Sequence, residues 1–338
     1  MHQALNKTIN QTVDKILKND TIHGFSISVH KDGKDVTVSK GNITENSRFF
    51  AASVTKLFVT ALILKYVDEG KLTLEDKLVD ILDTPLLKGL HTFKGKEYTD
   101  TITIRHLLSN NTGLPDYFHG DTMKALLEGK DQVWGFEPVL KHVRKRDAHF
   151  IPGHPKKKKY VDTNFQLLGR IIETIGKESF EKQVDTFLVK PLELEDTYVY
   201  DGRKDKKLVN MFYKGRELIL PKYMASIGPE GAVVSTSEDL NRFLKAFFAG
   251  QLFSKEHIET LYTWRLVFGP GLFFYGTGIS MQPISLFKMK QGLIGHWGQS
   301  GAFAFYYPQK DVYMSGTINS ITGHNKAAKV MLKVLKSL

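Results

Sequence analysis

Ser53-Val54-Thr55-Lys56 sets a hydroxyl and an amine three residues apart. On a helix, positions i and i+3 share a face. A neutral Lys56 amine there could take the Ser53 proton, or relay it to another base, as the hydroxyl attacks an acyl carbon. The pattern S-x-x-K also occurs at Ser28–Lys31, Ser179–Lys182 and Ser285–Lys288, and context separates the four. Ser28 lies in an alternating strand pattern, where i and i+3 point to opposite faces. Ser179 sits in a polar helical surface, and Ser285 follows Pro283 in a segment without helical period. Only Ser53 opens a long, largely apolar helix, expected over 53–69. The helix dipole there favours developing negative charge, and burial of Lys56 would favour the neutral amine that a base requires. The alternative is that Ser53 is merely an N-cap.

Two further groups carry chemistry. Tyr160-Val161-Asp162 follows a Pro-Gly loop and four lysines at the start of a helical pattern. A phenolate held among cations there can act as a general base; otherwise Tyr160 simply packs at a helix start. Tyr66–Asp68 and Tyr98–Asp100 repeat the same short pattern. His296-Trp297-Gly298 is the one H-x-G in the chain and falls on a Gly-rich strand pattern. Such a strand lets a ligand or another backbone approach closely, and its edge can offer an N–H to an oxyanion. The plain alternative is a turn histidine between two strands.

The elements that must position these groups are divided along the chain. Residues 3–18 form an amphipathic pattern. Gly24–Val29 and Val36–Ser39 alternate as strands around Lys31-Asp32-Gly33-Lys34, a hairpin signal. The helix over 53–69 is apolar around most of its circumference, so it is expected to be buried, with Gly70 as its stop. From about 72 to 250 the pattern is mostly helical. Leu272–Ser280, Gly301–Tyr307 and Val312–Ile318 return to strand-like runs, and Asn325–Leu338 closes as an amphipathic helix. Sheet signals at both ends with helices between imply an α/β (α+β) chain. Residues 1–70 plus 256–338 would form the sheet domain and 71–255 an inserted, mainly helical domain, with the active-site cleft between them.

Composition narrows the chemistry. The 338 residues carry 47 Lys and Arg against 36 Asp and Glu, a net charge of +11, and no cysteine. A disulfide framework, a thiolate metal site and a cysteine nucleophile are excluded. The twelve histidines form no H-E-x-x-H pair, and no G-x-S-x-G or P-loop is present, so no metal and no cofactor is expected. No run approaches the ~20 apolar residues of a membrane span. The basic balance reads as a Lys-rich solvated exterior rather than a nucleic-acid surface, since no aromatic–basic RNA-binding signature or helix-turn-helix spacing accompanies it. The polar N-terminus points to a cytoplasmic protein, or to a secreted or surface one if a leader has been removed.

In this order and spacing the three motifs resemble the serine β-lactamase and penicillin-binding protein superfamily, closest to its class C β-lactamase, D,D-peptidase and esterase branch. Lys71–Leu78, Ile104–Tyr117, Pro191–Thr197 and Gly231–Phe243 are similar to further family segments, and the likeness runs from about residue 20 to 335. It implies a β-lactamase-like fold: an antiparallel sheet flanked by helices, formed from both chain ends, with the helical insertion. It implies Ser53 as acylated nucleophile, Lys56 as its proton partner and Tyr160 as general base or acid. His296 would stand where many relatives carry the Lys of K-T-G. Gly298 would permit close approach of the acyl group, and the N–H groups of Ser53 and Gln299 would form the oxyanion hole.

Three departures qualify the substrate. Asp162 replaces the usual Asn, and a carboxylate only accepts hydrogen bonds; it would pair with Lys56 or hold a substrate amine. His296, mostly neutral, is a weaker anchor for a penicillin carboxylate than lysine. Trp297 replaces a small hydroxyl residue. The expected activity is therefore ester or amide hydrolysis through an acyl-enzyme, of the esterase or D-amino-acid peptidase type, with weak β-lactamase activity if any. The alternative is a sensor of penicillin or cell-wall fragments that turns over slowly. The partner is a small-molecule ester, amide or peptide; oligomeric state is left open.

Overall fold

The computed structural model describes residues 2–118, 120–269, 273–285 and 291–338. Its first two strands, β1 (Gly24–Lys31) and β2 (Lys34–Gly41), form the expected hairpin, with Lys31 opposite Lys34. Asp32 and Gly33 take φ of 51° and 71°. A two-residue turn with both φ positive matches the twist of paired strands, and Asp-Gly accommodates it.

Six strands from the other end of the chain complete the sheet. They are β3 (Arg265–Phe268), β4 (Phe273–Tyr275), β5 (Ser280–Pro283), β6 (Gly292–Trp297), β7 (Ala302–Tyr307) and β8 (Val312–Thr317). The order is β3-β4-β5-β6-β7-β8-β1-β2, and each neighbouring pair is antiparallel. The N-terminal hairpin thus docks on the last strand. The run read over Leu272–Ser280 is two strands rather than one. It breaks after Tyr275, and Gly278 at φ 71° turns the chain into β5. Leu272, and Lys288 of the Ser285–Lys288 pattern, lie outside the described residues.

Five longer helices stand out among the described residues: α1 (His2–Leu17), α2 (Thr55–Asp68), α3 (Thr163–Gly176), α4 (Ser237–Ala249) and α5 (His324–Ser337); all but α3 contact the sheet, and α3 packs on α2. Ile9 and Val13 of α1 and Val330 and Val334 of α5 pack with Phe25, Ile27, Phe303 and Phe305 of the sheet. A second, larger cluster joins Leu57 and Leu62 of α2, Phe165 and Leu168 of α3 and Phe243 of α4 to Ile294 and Ala304.

Every residue from Thr55 to Leu64 is buried, as the all-round apolar pattern requires. α2 ends at Gly70, φ 65°. The Gly70 N–H bonds the Val67 carbonyl and the Lys71 N–H the Tyr66 carbonyl. These are the paired bonds of a glycine-stopped helix. Between α2 and α4 short helices predominate, with a small sheet of Phe49–Phe50, Val233–Ser235 and Tyr198–Val199. Among the described residues no helix is long and apolar enough to cross a membrane.

Candidate active site

The chain reaches Ser53 through a strained step. Ala52 holds φ at 46°, an uncommon region for a residue with a Cβ and one that clusters at functional sites. Ala52–Val54 then form a 3₁₀ turn, and α2 begins at Thr55 rather than at Ser53. Ser53 is therefore not the N-cap of α2; Val54 holds that place, without a side-chain cap bond.

Three residues on, the Lys56 side chain is wholly buried. Its Nζ donates to Ser53 Oγ at 3.0 Å, to Asp162 Oδ1 at 2.6 Å and to the Glu230 carbonyl at 2.8 Å. An ammonium has three donors, and all three are used. Because Lys56 donates to Ser53 Oγ, the Ser53 proton is left for another acceptor.

Tyr160 is the group beside it. Lys56 Nζ lies 5.2 Å from the Tyr160 ring centroid. The buried Tyr160 hydroxyl makes no bond of full hydrogen-bond geometry, although Ser53 is near enough to pull its pKa down by hydrogen bonding. Burial first, then the charge of Asp162, outweigh that pull and hold the phenol well above its ordinary pKa; Asp116 and Glu230 add to the effect. Tyr160 thus rests as a phenol, with the Lys56 amine beside its ring.

Those carboxyls differ in state. Asp162 forms the ion pair with Lys56, the first of the two roles the sequence left open. Its N–H donates to Asp116 Oδ1 at 3.2 Å. Burial, then the Asp162 charge, raises the Asp116 carboxyl to about 7. Glu230 is fully buried and lifted well above the usual carboxylate range, chiefly by desolvation and then by Asp162, while its Oε1 accepts from the Tyr117 hydroxyl.

His296 lies on β6 at 1% exposure. Its Nδ1 sits 2.6 Å from the Trp297 carbonyl, so Nδ1 carries the proton and Nε2 is a bare acceptor. Burial, then Lys56, pushes the imidazole down to about 3, leaving it neutral. The ring stands 5.9 Å from Tyr160 and 5.8 Å from Tyr275, centroid to centroid.

Gly298 lies against the protein's own backbone. A Cβ on it would meet the Ala51 carbonyl oxygen at 2.1 Å. The close approach is made by the protein's own backbone, which seats the β6–β7 turn against the residues before Ser53. Ser300 reinforces this by donating to the Phe50 carbonyl at 2.6 Å.

Ser53, Asp162, Glu230 and Gln299 line one pocket. Its remaining walls are mostly apolar, from Phe118, Met123, Leu126, Met211, Leu218, Leu220, Met224, Ile227 and Ile321. Ser53, Lys56, Tyr160 and Asp162 thus come together, His296 joins through ring contact with Tyr160, and Gly298 and Gln299 border the nucleophile turn. Glu230, Asp116 and Tyr275 went unnoticed in the sequence. Asp116 lay inside the segment Ile104–Tyr117; Glu230 and Tyr275 carried no sequence signal.

The β-lactamase family model matches residues 9–334. The chain belongs to the β-lactamase family. Among its curated relatives, Protein flp of Staphylococcus aureus strain N315 is 27% identical over 253 residues, 70% of this chain and 48% of that protein. A teichoic acid D-alanine hydrolase of Staphylococcus aureus is 26% identical over 256 residues, 72% of this chain and 58% of that one. The chain spans about half the length of the curated relatives it matches. Among solved structures, a D-stereospecific amidohydrolase from Streptomyces sp. superposes with a TM-score of 0.80 at 22% identity, covering 99% of this chain and 98% of that one. The D-amino acid amidase of Ochrobactrum anthropi gives 0.82 at 19%, covering 98% of each. EstCE1, a hydrolase with promiscuous acyltransferase activity, gives 0.81 at 18%, covering 99% and 98%. At these identities the structural matches show the β-lactamase-like fold shared by this family member.

Proposed function

We propose that this chain is a serine hydrolase that cleaves an ester or amide through an acyl-enzyme on Ser53. The observation that carries the reading is the 3.0 Å contact from a wholly buried Lys56 to Ser53 Oγ beside a largely apolar pocket. Ser53 Oγ bonds to the acyl carbon while its proton passes to Tyr160 Oη, which in the same step gives its own proton to the leaving atom, so that the phenol never carries two protons. The leaving group departs with a proton supplied through Tyr160. Water then adds its hydroxide to the acyl carbon and returns a proton to Ser53 Oγ. The N–H groups of Ser53 and Gln299 stabilise the oxyanion, and Asp162 holds Lys56 in place. A sheet domain of residues 1–70 plus 256–338 and a mainly helical domain of residues 71–255 hold the site between them.

The favoured substrate is a compact acyl derivative of D-amino-acid type rather than a penicillin. The similarity to the D-stereospecific amidohydrolase of Streptomyces, the D-amino acid amidase of Ochrobactrum anthropi and the teichoic acid D-alanine hydrolase supports this. So does His296: neutral, with its one N–H already spent on Trp297, it gives a penicillin carboxylate no cation. The test is a panel of p-nitrophenyl acetate and butyrate, D- and L-phenylalanine amide, a D-alanyl ester and nitrocefin, run on wild type and Ser53→Ala. Turnover of esters or D-amides that vanishes in Ser53→Ala supports the reading. Undiminished turnover in Ser53→Ala, or a preference for nitrocefin, overturns it.

A further inference from the structure

Four buried polar atoms that make no bond of full hydrogen-bond geometry surround Tyr160 or belong to it: Asn110 Nδ2, Tyr160 Oη, Tyr275 Oη and His296 Nε2. Leaving one such atom unpaired is costly, and native interiors rarely do so; here they gather. The rings of Tyr160, Tyr275 and His296 form a near-equilateral triangle, with centroids 5.6, 5.8 and 5.9 Å apart. Asn110 reaches the same corner, since it favours the Tyr275 phenolate by hydrogen bonding.

The chemistry of the two ends fixes a direction. The Asn110 carbonyl oxygen already accepts from the Val161 N–H and from Asn164 Nδ2, both at 3.0 Å. Asn110 therefore has only N–H groups left to offer. His296 has its proton tied to the Trp297 carbonyl, so Nε2 can only accept. Two phenols, each able to donate and accept, lie between a fixed donor and a fixed acceptor.

We propose that Asn110, Tyr275, Tyr160 and His296 act as one directional hydrogen-bond chain, in that order, and that Tyr275 is a positioning residue for the hydrolytic reaction. Tyr275 donates to Tyr160 Oη, and Tyr160 rests with its own proton toward His296 Nε2, turning it to the leaving group in the same step in which it takes the Ser53 proton. That orientation leaves a Tyr160 lone pair facing Ser53, whose proton is free because Lys56 donates to its oxygen. The bonds tighten when substrate arrives, as catalytic contacts that are loose in the free enzyme commonly do. No atom of Tyr275 meets the substrate; it acts through Tyr160.

The inference rests on the serine-hydrolase reading, and the experiment separates the two. Tyr275→Phe, Tyr160→Phe and Ser53→Ala are compared with wild type on a series of esters of one acyl group, from p-nitrophenyl to methyl, together with thermal melting. In Tyr275→Phe the kcat falls roughly tenfold or more, the scale of losing one donor in a preorganised site, while KM stays within about twofold. The loss grows from p-nitrophenyl to methyl, because poor leaving groups depend most on proton delivery through Tyr160. The melting temperature holds or rises, since an unpaired buried hydroxyl has been removed. A Tyr275→Phe enzyme with wild-type kcat, or one whose loss is equal for every leaving group, overturns the chain while Ser53→Ala remains inactive. Activity surviving in Ser53→Ala overturns the underlying reading instead. If Tyr275→Phe melts early, fluorotyrosine at 275, which keeps the donor, decides: restored kcat supports the role and an unrestored kcat refutes it.

Discussion

Lys56 Nζ and Asp162 Oδ1 stand 2.6 Å apart, with the lysine wholly buried and the aspartate side chain 14% exposed. The two residues are 106 positions apart in sequence, on the helix that follows the nucleophile and at the start of α3. Ionic partners in such a setting are expensive to separate, because removing one leaves the other as an uncompensated buried charge.

Replacing Asp162 therefore tests the pair directly. Asp162→Ala should lose about 3–5 kcal/mol of stability, the cost of stranding a buried charge. Asp162→Asn keeps an acceptor for Lys56 and should lose clearly less. Chemical denaturation of both variants measures this. Equal stability of wild type and Asp162→Ala would mean that the pair does not hold the site.

Tyr160→Phe separates chemistry from folding. The hydroxyl has no full hydrogen bond to lose, so the variant should melt at or above the wild-type temperature. Its rate should nonetheless fall by roughly 10²–10⁴, the range of general acid–base catalysis. Steady-state kinetics with an unchanged rate would remove Tyr160 from the mechanism.

His296 makes stability depend on pH with a definite sign. Its folded pKa is pushed from 6.5 to about 3, so the unfolded chain takes up the proton first. The stability it contributes is fully present above pH 6.5 and is lost as pH falls toward 3. Asp116 acts with the opposite sign. Its folded carboxyl is raised from 3.8 to about 7, so its contribution is present at low pH and is lost as pH rises through that window. A comparison of wild type with His296→Asn isolates the imidazole. Below pH 6.5 the wild type should lose stability faster by about 1.4 kcal/mol per pH unit, and parallel curves would contradict the burial of a neutral His296.

Gly298→Ala should damage the site without touching a reacting atom. The added Cβ would sit 2.1 Å from the Ala51 carbonyl oxygen, so the β6–β7 turn must move away from the residues that carry Ser53. A stability loss of about 1–3 kcal/mol is expected, as for other overpacked positions, together with a fall in kcat. Wild-type kinetics and melting would show that the two backbones are not in close contact.

The sequence disclosed what local spacing dictates. The Ser53–Lys56 contact follows from i,i+3 geometry, although the helix proper starts only at Thr55. The Asp32-Gly33 turn and the buried face of α2 were equally local. Their surroundings were not. Glu230 reaches Lys56 across 174 residues, Tyr275 reaches Tyr160 from strand β4, and no local pattern marks either. The setting of Tyr160 was hidden for the same reason: four lysines precede it in sequence, whereas burial and the charges of Asp162, Asp116 and Glu230 hold its phenol well above the ordinary pKa.

The most direct measurement is the intact mass of wild type and Ser53→Ala after exposure to a fluorophosphonate, with peptide mapping of the labelled protein. One covalent adduct on wild type, mapped to Ser53 and absent from Ser53→Ala, is the predicted result. Equal labelling of both proteins, or an adduct on another residue, would contradict the assignment of Ser53 as nucleophile.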